Sequence, residues 1–358
     1  MTRQLGIKVN RHTTLPLAIL NYDQIESPKT HPVVCECRGL VLHTKTLEVV
    51  ARSFHRFFNW GEVVENMAHF NFSDFTAQSK EDGSLVLLYH FQGIWRANTR
   101  GSFAEDNMPF QRFTWSEGIC QALGVNTLND LDPVLDPHCS YVCEFVSPWN
   151  KIVRKYDKPM LYLLTAFYRN TCEELTQSEC DQFARAGNML RPRLYKFSNV
   201  DEIQDFLQKQ AEEDPTFEGV VICDKDHRRW KIKNPAYLGR HRMKGEGLNL
   251  YDPRHLLHFI LEGEEDELLT YFPEVRERFF ELKEMVTKAY GKVLEAWFDH
   301  RHAPDRKSFA LVIGKRPFSG LLFQLRDRQD RGESVTSAAI KSLWRDSGDL
   351  ILKTLLHR

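Results

Sequence analysis

The residues with the clearest chemical potential are Lys80-Glu81-Asp82-Gly83-Ser84, where a lysine precedes an Asp-Gly pair and then an apolar run. A free lysine has a pKa of about 10.4, so its ammonium group is not a nucleophile at neutral pH. Neighbouring cations, or a metal-bound phosphate, must first lower that pKa. Because Lys-x-Asp-Gly is also an ordinary surface-turn sequence, the motif predicts a nucleophilic lysine only in suitable company.

Charged residues that suit such a lysine follow in order along the chain. They are Arg38 before Gly39-Leu40, Arg56 before Phe57-Phe58-Asn59, Arg100 before Gly101-Ser102, Glu144 within Tyr141–Val146, Glu218 before Gly219–Ile222, and Lys231 with Lys233. The last two alternate on a predicted strand, so both side chains lie on one face. Cations compensate a triphosphate, and carboxylates hold a metal ion. Each residue alone is most simply a solvent-exposed charge. Together with Lys80, in this order, they predict a lysine that attacks a phosphorus atom.

In this order, the residues resemble the nucleotidyltransferase motifs of the covalent ligase superfamily. More narrowly, they resemble the family 1 RNA ligases of the T-even phage type. The narrower resemblance rests on Lys-Glu-Asp-Gly-Ser, on the upstream Arg-Gly and Arg-Phe-Phe-Asn segments, on Glu-Phe-Val-Ser-Pro at 144–148, and on Trp-Lys-Ile-Lys followed by Tyr237. The motifs span about residues 36–240, and the rest of the chain is similar only in its helical character.

The resemblance implies four catalytic residues. Lys80 is the expected nucleophile, and Lys231 and Lys233 hold the α-phosphate and stabilise the charge that develops there. Glu218 helps to bind a catalytic Mg²⁺, for which Mn²⁺ is an alternative. Glu144 binds the ribose hydroxyls and is a second metal ligand, with part of the metal contacts running through water.

The resemblance also implies an ATP-binding set. Arg38 and Arg56 hold the β- and γ-phosphates, and Arg100 contributes a further phosphate contact, although phage-type sequences often have lysine at this position. Glu81 belongs to the set, and Gly83 lets the backbone approach the nucleotide. Three aromatic residues are expected to pack around the adenosine: Phe58, Phe167 and Tyr237.

The implied activity is that of an ATP-dependent RNA ligase. Lys80 becomes a lysyl-AMP, the AMP passes to an RNA 5′-phosphate, and a 3′-hydroxyl displaces it. The expected partner is RNA, either single-stranded ends or a nicked tRNA loop, which suggests RNA or tRNA repair. Because the chain shows no end-healing domain, a separate kinase and phosphatase would prepare the ends. We expect a monomer that acts in the cytoplasm, including a host cytoplasm if the protein is phage-encoded.

Two kinds of alternative remain open. A DNA ligase or an mRNA-capping guanylyltransferase also uses Lys-x-Asp-Gly, but both usually carry a β-barrel domain after the last lysine pair, where this chain has a helical pattern. A catalytically silent RNA-binding protein on the same fold is the other alternative, and the presence of every expected charged residue argues against it.

Apolar patterns predict which elements position these residues. Short runs such as Val33–Cys37, Tyr141–Val146 and 219–223 indicate strands, and Gln92-Gly93 indicates a hairpin turn. Helices are predicted at 59–70, after Thr176, near 201–212, along a stripe from Val275 to Ala296, and at 338–356. The prediction is an α+β nucleotidyltransferase domain (ATP-grasp-like, antiparallel sheets flanked by helices) at 1–240, followed by an all-α domain at 241–358 with a role in RNA specificity.

Composition limits the remaining possibilities. The net charge of −1 shows no global basic character, but residues 301–358 carry +6, which makes Arg306-Lys307, Lys315-Arg316 and Arg326 a candidate RNA-contact surface. The eight cysteines lack metal-binding spacing and predict free thiols in a reducing compartment. The longest apolar run, Met160–Tyr168, is too short to span a bilayer, so we expect no membrane association.

Overall fold

The computed structural model describes residues 2, 4–23, 27–63, 67–108, 111–149, 153–234, 236–237, 253–263, 265, 268–269 and 275–356. The chain divides into two compact units, Met1–Lys244 and Gly245–Arg358. The predicted domain boundary, near residues 240–247, lies outside the described residues. Antiparallel sheets with flanking helices form the first unit and helices form the second, so the predicted fold class is confirmed.

The described part of the first unit contains three sheets. Their strands are β1 (Ile7–Arg11), β2 (Leu17–Tyr22), β3 (Arg38–His43), β4 (Val49–Ala51), β5 (Phe58–Asn59), β6 (Phe75–Ser79), β7 (Ser84–Phe91), β8 (Ile94–Thr99), β9 (Cys139–Val146), β10 (Met160–Tyr168), β11 (Leu194–Tyr195), β12 (Gly219–Asp224) and β13 (Arg229–Lys233). The strand orders are β1-β2-β3-β4, β10-β9-β7-β8 and β11-β6-β12-β13-β5. All neighbours pair antiparallel except β13 and β5, which pair in parallel.

The second sheet is covered on both faces. Val86 and Leu88 of β7 enter one core, while Leu87 and Tyr89 enter another. This follows from the two-residue period of a strand, in which successive side chains point to opposite faces. The first core includes residues of two helices, α2 (Trp115–Leu123) and α3 (Gln177–Ala186), and the second includes residues of the first sheet.

The third sheet has one apolar and one polar face around β13. Trp230 and Ile232 enter a core with residues of α4 (Val200–Glu213), a helix close to the predicted 201–212. Lys231 and Lys233 therefore project from the other face, which fits the predicted alternation.

Local signals located most of these elements. The capping box at Thr176 and Glu179 is present at the start of α3. The predicted hairpin is formed by β7 and β8, and both residues of its turn, Gln92 and Gly93, have positive φ.

Two predictions in the first unit were wrong. Residues 33–37 were expected to be a strand, but Pro32–Glu36 form the short helix α1, with the proline at its start. The helix expected at 59–70 does not begin at Asn59, because Phe58–Asn59 is strand β5 and residues 60–63 form a turn. Residues 64–66 of that prediction lie outside the described residues.

The described residues of the second unit form helices joined by turns and short irregular segments. Its helices are α5 (Pro253–Glu262), α6 (Arg276–His300), α7 (Arg306–Ile313), α8 (Ser319–Asp330), α9 (Ser337–Arg345) and α10 (Gly348–Leu356). The predicted stripe is confirmed, because all seven of its residues are buried: Val275, Phe279, Leu282, Val286, Ala289, Val293 and Ala296. The predicted tail helix is two helices, α9 and α10, separated by a turn.

Arg326 does not belong to a surface for RNA. Its side chain is buried, its Nε lies 2.8 Å from the Asp330 carboxylate, and its Nη1 donates to the Ala303 carbonyl. Lys307, Lys315 and Arg316 are exposed, so the predicted basic surface is smaller than expected. None of the helices within the described ranges has both the length and the apolar character needed to cross a membrane.

Candidate active site

Lys80 lies at the junction of two sheets. It follows β6 of the third sheet and precedes β7 of the second, and its backbone N–H donates to the Gly219 carbonyl at 2.9 Å. Glu144 comes from β9 of the second sheet, and Lys231 and Lys233 come from β13 of the third. A short connection thus brings a lysine into the cleft between the sheets, where charged side chains from both can reach it.

Glu218 links the two lysines of this junction. One of its oxygens, Oε1, lies 2.6 Å from Lys80 Nζ and 3.3 Å from Lys233 Nζ, and its side chain is only 5% exposed. The other oxygen, Oε2, is buried and has no hydrogen-bond partner among the described residues. An unpaired buried carboxylate oxygen is costly, so this atom suits a cation ligand.

Glu144 has an unusual ionisation. Burial raises its pKa to about 7, against the opposing effect of Lys80 and with a further contribution from Glu218. Its Oε1 accepts a hydrogen bond from the Gly83 N–H at 3.2 Å. A bound cation would favour the charged form, so Glu144 and Glu218 fit the expected divalent metal. No three His, Cys, Asp or Glu side chains gather as a metal site in the described ranges, so water and phosphate would complete the coordination.

Two glycines allow the strands to approach closely here. A Cβ at Gly83 would lie 2.3 Å from the Phe145 carbonyl oxygen, and one at Gly219 would lie 2.3 Å from the Ile232 carbonyl oxygen. Gly219 also has φ +143°, a conformation that side-chain-bearing residues rarely adopt. Gly83 therefore serves close packing on β9, a reason that its sequence motif did not reveal.

Three arginines from different segments surround one phenol. Arg56 and Arg100 lie over the Tyr22 ring, 4.4 and 5.3 Å from its centroid. Burial raises the pKa of Tyr22, but the charges of Arg38, Arg100 and Arg56 outweigh it and lower that pKa below its usual value. Such a concentration of positive charge suits a phosphate group. Sequence reasoning missed Tyr22, which carries no motif of its own.

Two phenylalanines support the cations of the site. Phe54 and Phe57 pack edge to face, with their centroids 5.3 Å apart. Arg38 lies over both rings, and Lys231 Nζ lies 5.7 Å from the Phe57 centroid. Cation–π contacts of this kind hold long side chains in place. The Phe57 ring thus links the first-sheet arginine to the third-sheet lysine.

Asp82 fixes the Lys80 segment from behind. Its Oδ2 accepts hydrogen bonds from the Val153 and Arg154 N–H groups at 2.8 and 2.7 Å, and its Oδ1 accepts one from the Tyr237 hydroxyl at 2.9 Å. Tyr237 is buried and its ring faces Lys233 Nζ at 5.8 Å. Sequence reasoning recognised Asp82 only as part of a motif and did not assign it this role.

The structure shows the contacts of three more predicted residues, Glu81, Phe58 and Phe167. Glu81 accepts hydrogen bonds from the Ser79 and Tyr156 hydroxyls rather than contacting Lys80. Phe58 packs in the core of the third sheet and below Arg56, whose charge lies 5.4 Å from its ring centroid. Phe167 packs in the core between the first two sheets.

Comparison with known proteins identifies relatives. A protein named as a bifunctional polynucleotide kinase/RNA ligase of Autographa californica nuclear polyhedrosis virus is 32% identical over 75% of this chain. The chain spans only 39% of that relative's length. An RNA ligase of Rhodothermus phage RM378 is 24% identical over 74% of this chain and 71% of its own length. An archaeal ATP-dependent RNA ligase structure aligns with a TM-score of 0.47 and 16% identity, over 79% of this chain and 74% of the other.

A sequence profile described as RNA ligase matches residues 36–237, more than half of the chain. The matched segment contains every predicted site residue from Arg38 to Tyr237. The chain therefore belongs to the T4 RNA ligase 1 family of RNA ligases.

Proposed function

We propose that this chain is an ATP-dependent RNA ligase that works through a covalent lysyl-AMP. The observation that carries the proposal is that Lys80 and Lys233 both lie within 3.3 Å of one carboxylate oxygen of Glu218. A surface-turn lysine would not be enclosed by a buried carboxylate and a second buried lysine. The first unit carries this chemistry, and the second unit contributes RNA specificity.

The first step joins Lys80 to AMP. The neutral amine attacks the α-phosphorus of ATP, a bond forms from Nζ to phosphorus, and the bond to the β-phosphate oxygen breaks. Pyrophosphate leaves with the electron pair, and the nitrogen loses a proton to solvent. Lys231 and Lys233 stabilise the charge on the α-phosphate, while Arg38, Arg56 and Arg100 bind the other phosphates.

Glu218 holds the nucleophile before ATP binds, because its Oε1 lies 2.6 Å from Lys80 Nζ. In the proposed reaction, Glu218 releases Lys80 when its carboxylate turns to a bound metal cation. Mg²⁺, or Mn²⁺, held by Glu218 and Glu144 would supply the positive charge that compensates the triphosphate.

The later steps use RNA. A 5′-phosphate of RNA attacks the lysyl-AMP and takes the AMP, and a 3′-hydroxyl then displaces AMP to form the phosphodiester. The viral relative is named for both a kinase and a ligase and is much longer than this chain. This supports the proposal that sealing works together with a kinase that prepares the RNA ends, and broken tRNA is a substrate that such a system would serve.

The cysteines support a proposal about the cellular compartment in which the protein acts. All eight are free, and seven of them are buried or partly buried, whereas Cys172 is exposed. Free thiols fit a reducing cytoplasm, whether of the cell that encodes the protein or of a phage host. We propose that the protein acts there as a monomer.

A label-transfer assay tests the first step. The protein is stripped of bound AMP with pyrophosphate, incubated with α-labelled ATP or GTP and Mg²⁺, and separated on a denaturing gel. We expect a labelled band with ATP alone, lost in Lys80→Ala and retained in Lys45→Ala, a surface lysine of the β3–β4 turn. A band with GTP would indicate a capping enzyme. No band in the wild type would favour a silent RNA-binding protein.

A second assay tests the substrate. The protein is offered RNA with a 5′-phosphate and either a 3′-hydroxyl or a 2′,3′-cyclic phosphate, as a single strand and as a nicked tRNA loop. We expect joining of 3′-hydroxyl ends only, and faster joining in the tRNA loop. Equal rates on both RNAs would remove the tRNA proposal, and joining of cyclic phosphate ends would contradict the need for separate end healing.

A further inference from the structure

A cavity of about 890 Å³ lies beside the candidate active site in the first unit. It shares Arg56, Phe58 and Phe167 with the expected ATP-binding set. Its other walls come from the segment 52–55, from the loop after β10, and from the turn before β13. Lys80, Glu144 and Glu218 do not line it, so the cavity adjoins the reacting centre without containing it.

A row of cations on β13 leads from the reacting centre to this cavity. Lys233, Lys231 and Arg229 alternate along the strand, so they share a face and lie about 6.6 Å apart in succession. Lys233 is 3.3 Å from the Glu218 oxygen that also contacts Lys80, whereas Arg229 lines the cavity. The same strand therefore presents positive charge from the nucleophile outward.

Arg229 is held in place by a buried carboxylate. Its Nη2 forms an ion pair with Glu174, whose side chain is 5% exposed, and its Nη1 donates to the His227 carbonyl at 3.2 Å. The His227 ring also contacts Glu174, at 2.9 Å. The guanidinium lies over Phe54, 5.4 Å from the ring centroid. These contacts occupy two of its five N–H donors and fix the plane of the rest.

The cavity wall carries charges of both signs that are unevenly paired, because four arginines line it together with Glu173, Glu174 and Asp226. Arg52 pairs with Glu36, and Arg228 pairs with Asp224 and Asp226. Arg56 has no acidic partner within 4 Å among the described residues and rests on aromatic rings. An uncompensated arginine in the wall, with an oriented one at the end of β13, favours a multiply charged anion.

We propose that this cavity receives the pyrophosphate released by the attack of Lys80, and that Arg229, positioned by Glu174, contacts it. The proposal rests on the adenylyl transfer proposed above. In an in-line displacement, the leaving group departs on the side opposite the attacking nitrogen, and a cationic path holds it during departure. A planar guanidinium can contact two phosphate oxygens at once. Arg229 thereby assists both the loss of pyrophosphate and its return in the reverse reaction.

Direct binding of pyrophosphate tests the site without catalysis. Pyrophosphate is titrated into the full chain by calorimetry, using wild type, Arg229→Gln and Arg228→Gln. Arg228 is a matched control, because it lines the same cavity but precedes the strand and pairs with other carboxylates. We expect roughly tenfold to hundredfold weaker binding in Arg229→Gln, as for the loss of a charged hydrogen bond, and less than about threefold in Arg228→Gln.

Further variants distinguish the loss of the Arg229–pyrophosphate contact from a loss of folding stability. Arg229→Gln leaves Glu174 short of its main partner, so the double variant Glu174→Gln/Arg229→Gln restores a neutral pair and is checked by thermal unfolding. It should fold as well as wild type and still bind pyrophosphate weakly. Glu174→Gln alone should weaken binding less, and Arg229→Lys should recover part of it. Equal binding in all variants would overturn the proposal.

Two kinetic measurements distinguish pyrophosphate from an RNA phosphate as the occupant of the cavity. With lysyl-AMP protein, Arg229→Gln should raise the pyrophosphate concentration needed for half-maximal ATP formation by the same factor. Sealing of RNA that already carries a 5′-AMP should stay within about twofold of wild type. Slower sealing with unchanged pyrophosphate affinity would assign the cavity to RNA and refute the proposal. Absence of lysyl-AMP in the wild type would overturn the proposed function, whereas calorimetry would still report on the cavity.

Discussion

Asp82 offers a sharp test of how the fold supports the nucleophile. Its carboxylate is 1% exposed and receives three hydrogen bonds, two from the Val153 and Arg154 N–H groups and one from the Tyr237 hydroxyl. It lies two residues after Lys80, so these bonds fix the segment that carries the lysine. In Asp82→Asn, an amide replaces the carboxylate with almost no change in volume.

The expected cost follows from the three bonds. Hydrogen bonds to a charged group contribute about 1.5–3 kcal/mol each, against about 0.5–1.5 kcal/mol between neutral groups. In Asp82→Asn, the bonds change from charged to neutral and become weaker. This cost is partly offset because a neutral amide is easier to bury than a carboxylate. We therefore expect Asp82→Asn to lower the free energy of unfolding by about 1–3 kcal/mol. We also expect lysyl-AMP formation to slow at least about tenfold, because Lys80 loses its fixed position.

Tyr237→Phe provides the matched control, since it removes only one of the three bonds. We expect it to cost about 1.5–3 kcal/mol, the range for one hydrogen bond to a charged group. The double variant should lose less than the sum of the two single losses, because both changes disrupt the same bond. Urea unfolding of the full chain measures the stabilities, and the label-transfer assay measures the rate. Additive losses, or an Asp82→Asn protein with normal stability and rate, would refute this account of Asp82.

Three further predictions concern stability. Burial raises the pKa of Glu144 to about 7, above its unfolded value, so its contribution is complete below about pH 4.5 and is lost as pH rises to 7. Glu144→Gln should therefore remove up to about 3 kcal/mol of the stability difference between pH 5 and pH 8 in urea unfolding, and an unchanged difference would contradict this. Gly219→Ala should cost more than about 2 kcal/mol because of its φ and close carbonyl, whereas Gly291→Ala, a helical position with open space, should be neutral or stabilising in the same assay. Arg326→Ala should lower the thermal unfolding temperature without changing the salt dependence of RNA binding, and a reduced salt slope would return Arg326 to the RNA surface.

The elements that sequence reasoning located correctly are those with a local physical signature. The stripe that ends at Ala296 repeats every three or four residues, as a helix with one buried face requires. The Thr176 capping box satisfies backbone N–H groups within one turn. The errors occurred where local signals conflict. Val33-Val34 favours a strand, but Pro32 suits the first turn of a helix, and the tertiary context selected the short helix α1.

The candidate site was predictable as a set of charges but not as an arrangement. Each of Lys80, Glu218 and Lys233 has a recognisable sequence neighbourhood. The structure brings both lysines to one carboxylate oxygen of Glu218. Tyr22 is 58 residues before Lys80 and has no motif, so its place among three arginines depends entirely on how the first sheet packs.

The pairing of Glu174 with Arg229 shows the same limit more strongly. The two residues are 55 positions apart, and each alone would be interpreted as a surface charge. Only the fold buries the carboxylate and turns the arginine toward a cavity. Motifs record which side chains meet the substrate, whereas the residues that orient them are specified by long-range packing. We therefore expect positioning residues such as Asp82 and Glu174 to be found from structure rather than from sequence patterns.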